Sequence, residues 1–487
     1  MLKHSLLRKF TAVKLTEVES TLFSSLLEAS EAMGKGTVLR AAGGWVRDKL
    51  LGIESHDVDI ALDNVPGDEF ALFLYDREKQ KGSISSIGVV KENPNQSKHM
   101  RTATFRFHGF DVDVNNLRSE TYADDSRIPE VEFAKHPSED ALRRDFTINA
   151  LYYNLNTEQV EDFTGSGLED LEKRLIRTPL PAAKTFVDDP LRVLRAIRFA
   201  ARFGFTLDQE IQQAWTSEDV KLGLVNKVSR ERVGVEISKM MKGRNPLLAL
   251  ELLYKSGLLH LILEAPTTFD APSLAGVSRK DYEEWKKALP ELKYNDSSRY
   301  IDQLKNMDLT SLSDQHTFLL GMSSLFMPTL IGQERANPSL IARLSMKLSS
   351  GDSKSIGSIL QSLPFIQEAL SGLRSGSKSH DEIAILIGRQ IRGSLKDLFP
   401  VALRLALAAD YDSDTEDLSR ISELVTEYSL AECYTWRPVI DGSELATILS
   451  LKPGPILQKL IQVEFDIMFR KERDRDTILQ AVRDSLE

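Results

Sequence analysis

Cysteine is almost absent: Cys433 stands alone in 487 residues. That excludes an intrachain disulfide and any cysteine-rich zinc site, and it fits a reducing compartment. No apolar run approaches the roughly 20 residues that a membrane-spanning helix needs, so a soluble intracellular protein with no membrane partner is expected. Excess positive charge is missing as well. With a formal net charge of −10, any nucleic-acid partner must be met by a local basic surface rather than by a basic whole. No G-x-x-x-x-G-K-[ST] occurs and no G-x-G-x-x-G follows a strand, which excludes a P-loop and a dinucleotide fingerprint. Fixed-period repeats, coiled-coil heptads and long disordered tails are lacking too, so the length argues for about three globular domains.

What is present concentrates in Ala41–Asn64, AAGGWVRDKLLGIESHDVDIALDN. Its pattern predicts a strand over Thr37–Ala42, a Gly43–Gly44 turn, a helix over Trp45–Leu51 stopped by Gly52, and a strand over Val58–Leu62. Backbone amides at a glycine turn that opens a helix suit a phosphate group. Asp57 and Asp59 fall on one face of an extended strand, because side chains alternate with period two. Two carboxylates side by side repel unless a cation lies between them, and Mg²⁺ shared with nucleotide phosphates is the cation of choice. A lone Asp-x-Asp is common on exposed strand ends; the ordered conjunction is what points to phosphoryl or nucleotidyl transfer.

Two further segments carry charge in a pattern. Leu142–Leu151, LRRDFTINAL, can place Arg143 or Arg144 on triphosphate or ribose, with Asp145 and Asn149 holding those side chains or the sugar. A helix start with a surface ion pair explains it equally well. Asp188–Phe205, DDPLRVLRAIRFAARFGF, suits a helix capped by Asp188 or Asp189 with Pro190 in its first turn. Arg192, Arg195, Arg198 and Arg202 share one face of it, opposite Leu194, Ile197 and Ala201, and repel unless something anionic lies along them. Asp189 and Arg192, at i and i+3 of that helix, offer an acceptor beside a donor. Cytosine and adenine present the complementary amino and ring-nitrogen pair, whereas guanine and uracil present the reverse, so the pair would accept C and A. An intrahelical salt bridge is the plain alternative.

The motifs GGWVRD with DVD, RRDFTINAL, DFTGSGLEDLEKRLIRTP, DDPLRVLRAIRF and SRERVGVEISKM occur here in an order that resembles the class II CCA-adding tRNA nucleotidyltransferases. SRERVGVE and the late RPVIDGSELATILSLKPGP are similar to the eukaryotic, especially fungal, branch. The resemblance covers at least Arg40–Lys242. It implies an α+β fold: a nucleotidyltransferase head with a mixed β-sheet and helices, followed by an all-α neck, body and tail. The corresponding boundaries are an N-terminal segment 1–36, a head 37–178, a neck 179–245 and a body with tail 246–487. The implied activity is template-independent addition of C, C and A to tRNA 3′ ends from CTP and ATP; Mg²⁺ is the expected cofactor and a monomer the expected state. A partial adder of only CC or only A, a poly(A) polymerase of the same superfamily, and an inactive RNA-binding homologue are the rival readings.

Carried over by position, Asp57 and Asp59 match the metal-binding catalytic carboxylates, and Gly43, Gly44 and Arg47 fall in the first nucleotide-contacting motif. Arg143, Arg144, Asp145 and Asn149 cover the second motif. Asp189 and Arg192 match the base-reading pair, and Arg195 and Arg198 nucleotide or phosphate contacts beyond it. The family's Glu-Asp-x-x-Arg is here Asp188-Asp189-Pro190-Leu191-Arg192, with the first acid shortened. Leu117–Phe133 resembles the flexible loop that helps switch specificity from C to A, with Arg118 and Glu120 at its start. Asp162, Gly167, Asp170 and Arg177 match a hinge between head and neck. Asp113, two residues after Asp111, is a candidate third carboxylate. Lys227, Arg230, Arg232, Lys239 and Lys242 are candidate tRNA phosphate contacts, and Lys452-Pro453-Gly454-Pro455 a helix opening towards RNA. The basic start, with Lys3, Arg8, Lys9 and Lys14 before Glu17, fits either mitochondrial import or a plain helix, beside a cytoplasmic and nuclear location. Ser349–Ser379, rich in Ser and Gly around a more apolar Ile359–Leu370, is expected to hold two flexible connections.

Overall fold

The computed structural model of the chain describes residues 13–79, 84, 87–90, 102–121, 130–266, 269, 277–288, 297–330, 337–410 and 412–486. Residues 1–12, which carry most of the basic start, and residues 122–129 of the expected specificity loop lie outside these. The chain forms two compact units, one of residues 1–229 and 266–275, the other of residues 230–265 and 276–487. No described helix is long and apolar enough to cross a membrane.

The first unit is built on a sheet. Its strands are β1 (Leu39–Ala42), β2 (Asp57–Leu62), β3 (Ile87–Val90), β4 (Thr102–Phe107), β5 (Phe110–Asn116), β6 (Arg118–Thr121), β7 (Glu130–Phe133), β8 (Leu151–Asn154) and β9 (Gln159–Asp162), with a separate short pair, β10 (Leu175–Ile176) and β11 (Thr206–Leu207). Seven of them form one mixed sheet in the order β3-β4-β5-β2-β1-β8-β9, while β6 and β7 pair by themselves. Within the seven-stranded sheet only β2 and β5 run parallel. Strict alternation makes one face of β4 and β5 apolar: Ala103, Phe105, Phe107, Val112 and Val114 are buried, whereas Thr104, Arg106 and Asp111 are exposed. The buried face is covered by helix Gly67–Glu78, against which helix Glu17–Met33 packs in turn. The latter starts at a reciprocal Thr16–Glu19 capping box, buries Leu22, Phe23, Leu26 and Ala29 at helical spacing, and stops at Gly34 in the left-handed region.

The expected strand-turn-helix-strand order over the first motif is present with shifted ends: the helix is Gly44–Leu50, and β2 starts at Asp57. Behind it follow helices Gly167–Lys173, Ala182–Asp188 and Leu191–Phe203.

Among its described residues the second unit carries helices and no strand. One expectation fails here. Ser349–Ser379 is not a pair of flexible connections but a single 26-residue helix, Ser350–Ser375, entered at the Ser349 N-cap and left at Gly376. Its small residues face neighbouring elements: Ser353 and Ser362 are buried, and a Cβ at Gly357 would lie 3.0 Å from Ser339 Cβ. Packing of the apolar residues Ile356, Ile359, Leu360, Leu363 and Ile366 overrides the weak helix propensity of Ser and Gly and the internal Pro364.

Candidate active site

The sheet places four carboxylates in two rows. Asp57 is in register with Asp111 and Asp59 with Asp113 across the parallel β2–β5 pair, so all four point to one face. Asp57, Asp59 and Asp111 are exposed and Asp113 half-buried. On the other side of β2, Asp59 is in register with Ala42 of β1, one residue before the Gly43 turn. The Asp59 carboxyl is pushed above the ordinary aspartate range. The low-dielectric surroundings do most of this, Asp113 and Asp57 add to it, and Arg144 opposes it. A cation would relieve that conflict. Among the described residues no three His, Cys, Asp or Glu side chains form a closed cage for a metal. An open row of carboxylates instead suits a hard cation that takes one or two of them and completes its shell with substrate phosphates.

Gly43 shows why the turn needs glycine. Its φ is +65°, and a Cβ there would lie 2.7 Å from Arg144 Nη1 and 3.3 Å from the Asn149 carbonyl. Its amide is not available to a phosphate, because it donates to the Leu151 carbonyl at 2.9 Å. Gly43 thus contributes close approach to Arg144, not an amide.

The second motif is organised by an acid that lies just before it in the chain. Asp140, 1 % exposed, accepts from Arg143 Nη2 at 2.5 Å, Arg144 Nη2 at 3.0 Å and the Tyr152 hydroxyl at 2.5 Å. Burial pushes its carboxyl up, yet the Arg144 and Arg143 guanidiniums hold it far below the usual range. Arg144 also donates to the Asn149 carbonyl at 3.1 Å, and Arg143 to Glu120 at 3.0 Å. Arg118, 3.2 Å from Glu120, completes the cluster, so both specificity-loop candidates meet Arg143. The signal for Asp140 was its place three and four residues before the two arginines, the spacing at which helical side chains meet.

Asp145 and Asn149 tie three motifs together. Asn149 accepts from Arg47 and donates to Asp145 at 2.9 Å, and Asp145 in turn accepts from Arg195 at 2.7 and 2.8 Å. Asp145 is buried, which raises its pKa, but Arg195 and Asn149 more than offset this and the net shift is downward. Arg47 is 4 % exposed. It pairs with Asp48 at 2.7 Å and lies 4.7 Å from the centre of the Phe203 ring. The anion expected along the arginine face of Leu191–Phe203 is therefore supplied in part by the chain itself: Asp145 meets Arg195, and Asp48 lies 3.4 Å from Arg202. Arg198 is buried with its guanidinium over Phe199.

The geometry of Asp189 and Arg192 differs from expectation. They are not two positions of one helix. Asp189 is extended (φ −135°, ψ 97°) at the end of Ala182–Asp188, and its Oδ1 accepts from the Leu191 amide at 3.2 Å. Arg192 lies in the first turn of the next helix and donates to the Arg143 carbonyl at 2.7 Å. Pro190, rigid between them, accounts for the break. Both residues stay half-buried.

In the expected hinge, Asp162 accepts from the Thr164, Gly165 and Leu168 amides, all at 3.1 Å, while Asp170 accepts from the Thr147 hydroxyl at 2.7 Å and faces Arg177 at 3.4 Å. Arg230, offered as an RNA contact, is 1 % exposed. It donates to the Ile262 and Glu264 carbonyls at 3.1 and 3.0 Å, closing the end of helix Leu259–Leu263. Burial pushes its pKa down to about 10. It is a structural cap and faces no phosphate.

A cavity of about 130 Å³ lies among Asp59, Asn115, Asp140 and Arg144. A larger one, about 420 Å³, sits in the second unit by Arg374 and Arg420, but those guanidiniums are engaged by Asp410, Asp417 and Glu416, and the chemistry-bearing motifs lie in the first unit.

Residues 39–177 match the family model described as the poly A polymerase head domain. Residues 204–269 match a probable RNA and SrmB-binding site of polymerase A. The mitochondrial CCA tRNA nucleotidyltransferase of Saccharomyces cerevisiae is 33% identical over 96% of this chain and 94% of its own length. The chain belongs to the CCA tRNA nucleotidyltransferase family. As a member of that family it is a nucleotidyltransferase, of a class that generally uses a divalent metal. A second relative, the tRNA nucleotidyltransferase cca1 of Schizosaccharomyces pombe, is 34% identical over 92% of each chain. The fold agrees with solved CCA-adding enzymes. The Thermotoga maritima enzyme complexed with tRNA superposes over 99% of this chain and 98% of its own at a TM-score of 0.61 and 22% identity. A CCA-adding enzyme with CTP does so over 97% and 96% at a TM-score of 0.62 and 21% identity.

Proposed function

We propose that this chain adds C, C and A to the 3′ end of tRNA, taking CTP and ATP and releasing pyrophosphate. The observation that carries the reading is the carboxylate row of β2 and β5 set one residue from the Gly43 turn and beside Arg144. The bond from Arg192 to the carbonyl of Arg143, the neighbour of Arg144, supports reading Asp189 and Arg192 as the base-selecting part of the same site. In this reading Asp57 and Asp59 hold Mg²⁺, with Asp113 beside Asp59; when bound, the ion supplies Lewis-acid stabilisation of the oxygens of phosphoryl transfer. Arg144 and the Gly44 end of the helix neutralise the triphosphate. Arg47, Asp145, Asn149 and Arg195 act as positioning residues that fix the helix Leu191–Phe203 against the first motif. Arg118, Glu120 and Arg143 couple the specificity loop to that frame. Residues 37–178 serve as head, 179–245 as neck, and 246–487 as the tRNA-holding body and tail of a monomer. The mitochondrial designation of the Saccharomyces relative supports a mitochondrial pool of the enzyme beside cytoplasmic and nuclear ones.

The test offers purified protein tRNAs that end at the discriminator base, at C and at CC, with CTP, ATP or both. Extension of all three to the same CCA end is expected. Addition of A to the CC substrate alone, or arrest after CC, would replace full addition by a partial one. Asp189→Ala should relax the choice between C and A while leaving some transfer; unchanged selectivity would refute the base-reading assignment.

A further inference from the structure

The carboxylate face does not end at β5. In the antiparallel β4–β5 pair, Thr104 is in register with Asp113 and Arg106 with Asp111, which prolongs both rows by one strand. One row thus reads Asp57, Asp111, Arg106 and the other Asp59, Asp113, Thr104. Arg106 is exposed, as is Asp111. It is the one basic residue in the sequences of these three strands. Among the described residues no hydrogen bond or ion pair within 4.0 Å engages its guanidinium. The arginine therefore stands two strand spacings, about 10 Å, from Asp57, on an otherwise acidic face.

Its side of the face matters. The Gly43 turn follows β1, and the sheet order puts β1 on one flank of β2 and β5 with β4 on the other. In-line nucleotidyl transfer places the attacking and leaving oxygens on opposite sides of the reacting phosphorus. With the polyphosphate at the β1 flank, beside Arg144, the attacking 3′-hydroxyl comes over the β4 flank. The strand that carries it is a polyanion, and four carboxylates repel it.

We propose that Arg106 binds a backbone phosphate of the RNA 3′ end and draws the acceptor strand onto the carboxylate face. This inference rests on the nucleotidyltransferase reading of the site and extends it to a substrate-binding residue. The test compares Arg106→Ala, Arg106→Glu and Arg106→Lys with the native enzyme, using tRNA ending in CC and ATP. Arg106→Ala should raise KM for tRNA about tenfold, the range for losing a charge-assisted hydrogen bond, and leave kcat and KM for ATP unchanged. Arg106→Glu should be worse and Arg106→Lys close to native. The slope of log KM for tRNA against log salt should become shallower by about 1 in the alanine variant. If KM for tRNA stays at the native value, or KM for ATP rises in its place, the assignment is overturned while native transfer leaves the proposed function intact. If the native enzyme transfers nothing to tRNA, both readings fall together.

Discussion

Asp59 and Asp140 line the same cavity, yet their surroundings push them in opposite directions. Asp59 is raised by desolvation and by its carboxylate neighbours, so folding disfavours its charged form. The cost is present above the raised pKa and vanishes as pH falls below the unfolded value. Asp59→Asn should therefore leave the metal-free thermal midpoint at neutral pH unchanged or higher, while lowering transfer by on the order of 10²-fold or more. A lower midpoint would show that Asp59 is a structural group. The same shift predicts that transfer fails on the acid side at a higher pH than an ordinary aspartate would set. Asp140 behaves in the reverse way. Its pKa is held low by two guanidiniums, so its contribution is complete above the unfolded value near 3.9 and is lost as pH falls towards the folded one. Asp140→Asn should cost about 3 kcal/mol at pH 7, measured by urea unfolding, because Arg143 and Arg144 lose a buried partner. The loss should shrink in acid. Period-two alternation made Asp57 and Asp59 legible from sequence. Asp140 was legible only by helical spacing to the arginines, and a partner shared by two arginines and a tyrosine has no linear signature.

At the scale of elements, apolar periodicity carried well and small residues misled. The helix Ser350–Ser375 looks like linker because serine and glycine commonly mark turns, but burial decides what they do. Elsewhere glycine is required by contact rather than by backbone angle. Gly234 lies in helix Arg230–Met241, where a Cβ would approach the Met346 carbonyl oxygen to 1.7 Å. Backbone cannot move aside as a side-chain tip can. Gly234→Ala should therefore destabilise the protein by about 3 kcal/mol, the upper part of the usual overpacking range, despite alanine's better helix propensity. The readout is the denaturant midpoint. A stabilised variant would mean that the two helices separate easily. The break between Asp189 and Arg192 is the same lesson in another form: an i, i+3 spacing suggested one helix, and Pro190 makes it a corner, after which Arg192 still reaches the Arg143 carbonyl of the RRD segment.

For the whole molecule, the fold class was legible because several motifs occur in the order of a known family, a property of long segments rather than of single residues. Individual RNA contacts were not, since a lysine or arginine on a helix reads the same whether it faces phosphate, solvent or, like Arg230, a helix end. Charge gives a test that needs no such assignment. A chain of net charge −10 repels a tRNA at long range, so its affinity must come from local neutralisation of phosphates. Each phosphate neutralised contributes about −0.7 to −0.9 to the slope of log affinity against log salt. Titration of labelled tRNA between low and physiological salt should thus give a straight line with a clearly negative slope. That slope should persist in the Asp57→Ala, Asp59→Ala double variant, in which transfer is abolished. A flat line would mean that shape and stacking hold the RNA without phosphate pairing. A slope that disappears with the carboxylates would mean that binding is built on the metal site rather than on the protein's own basic residues.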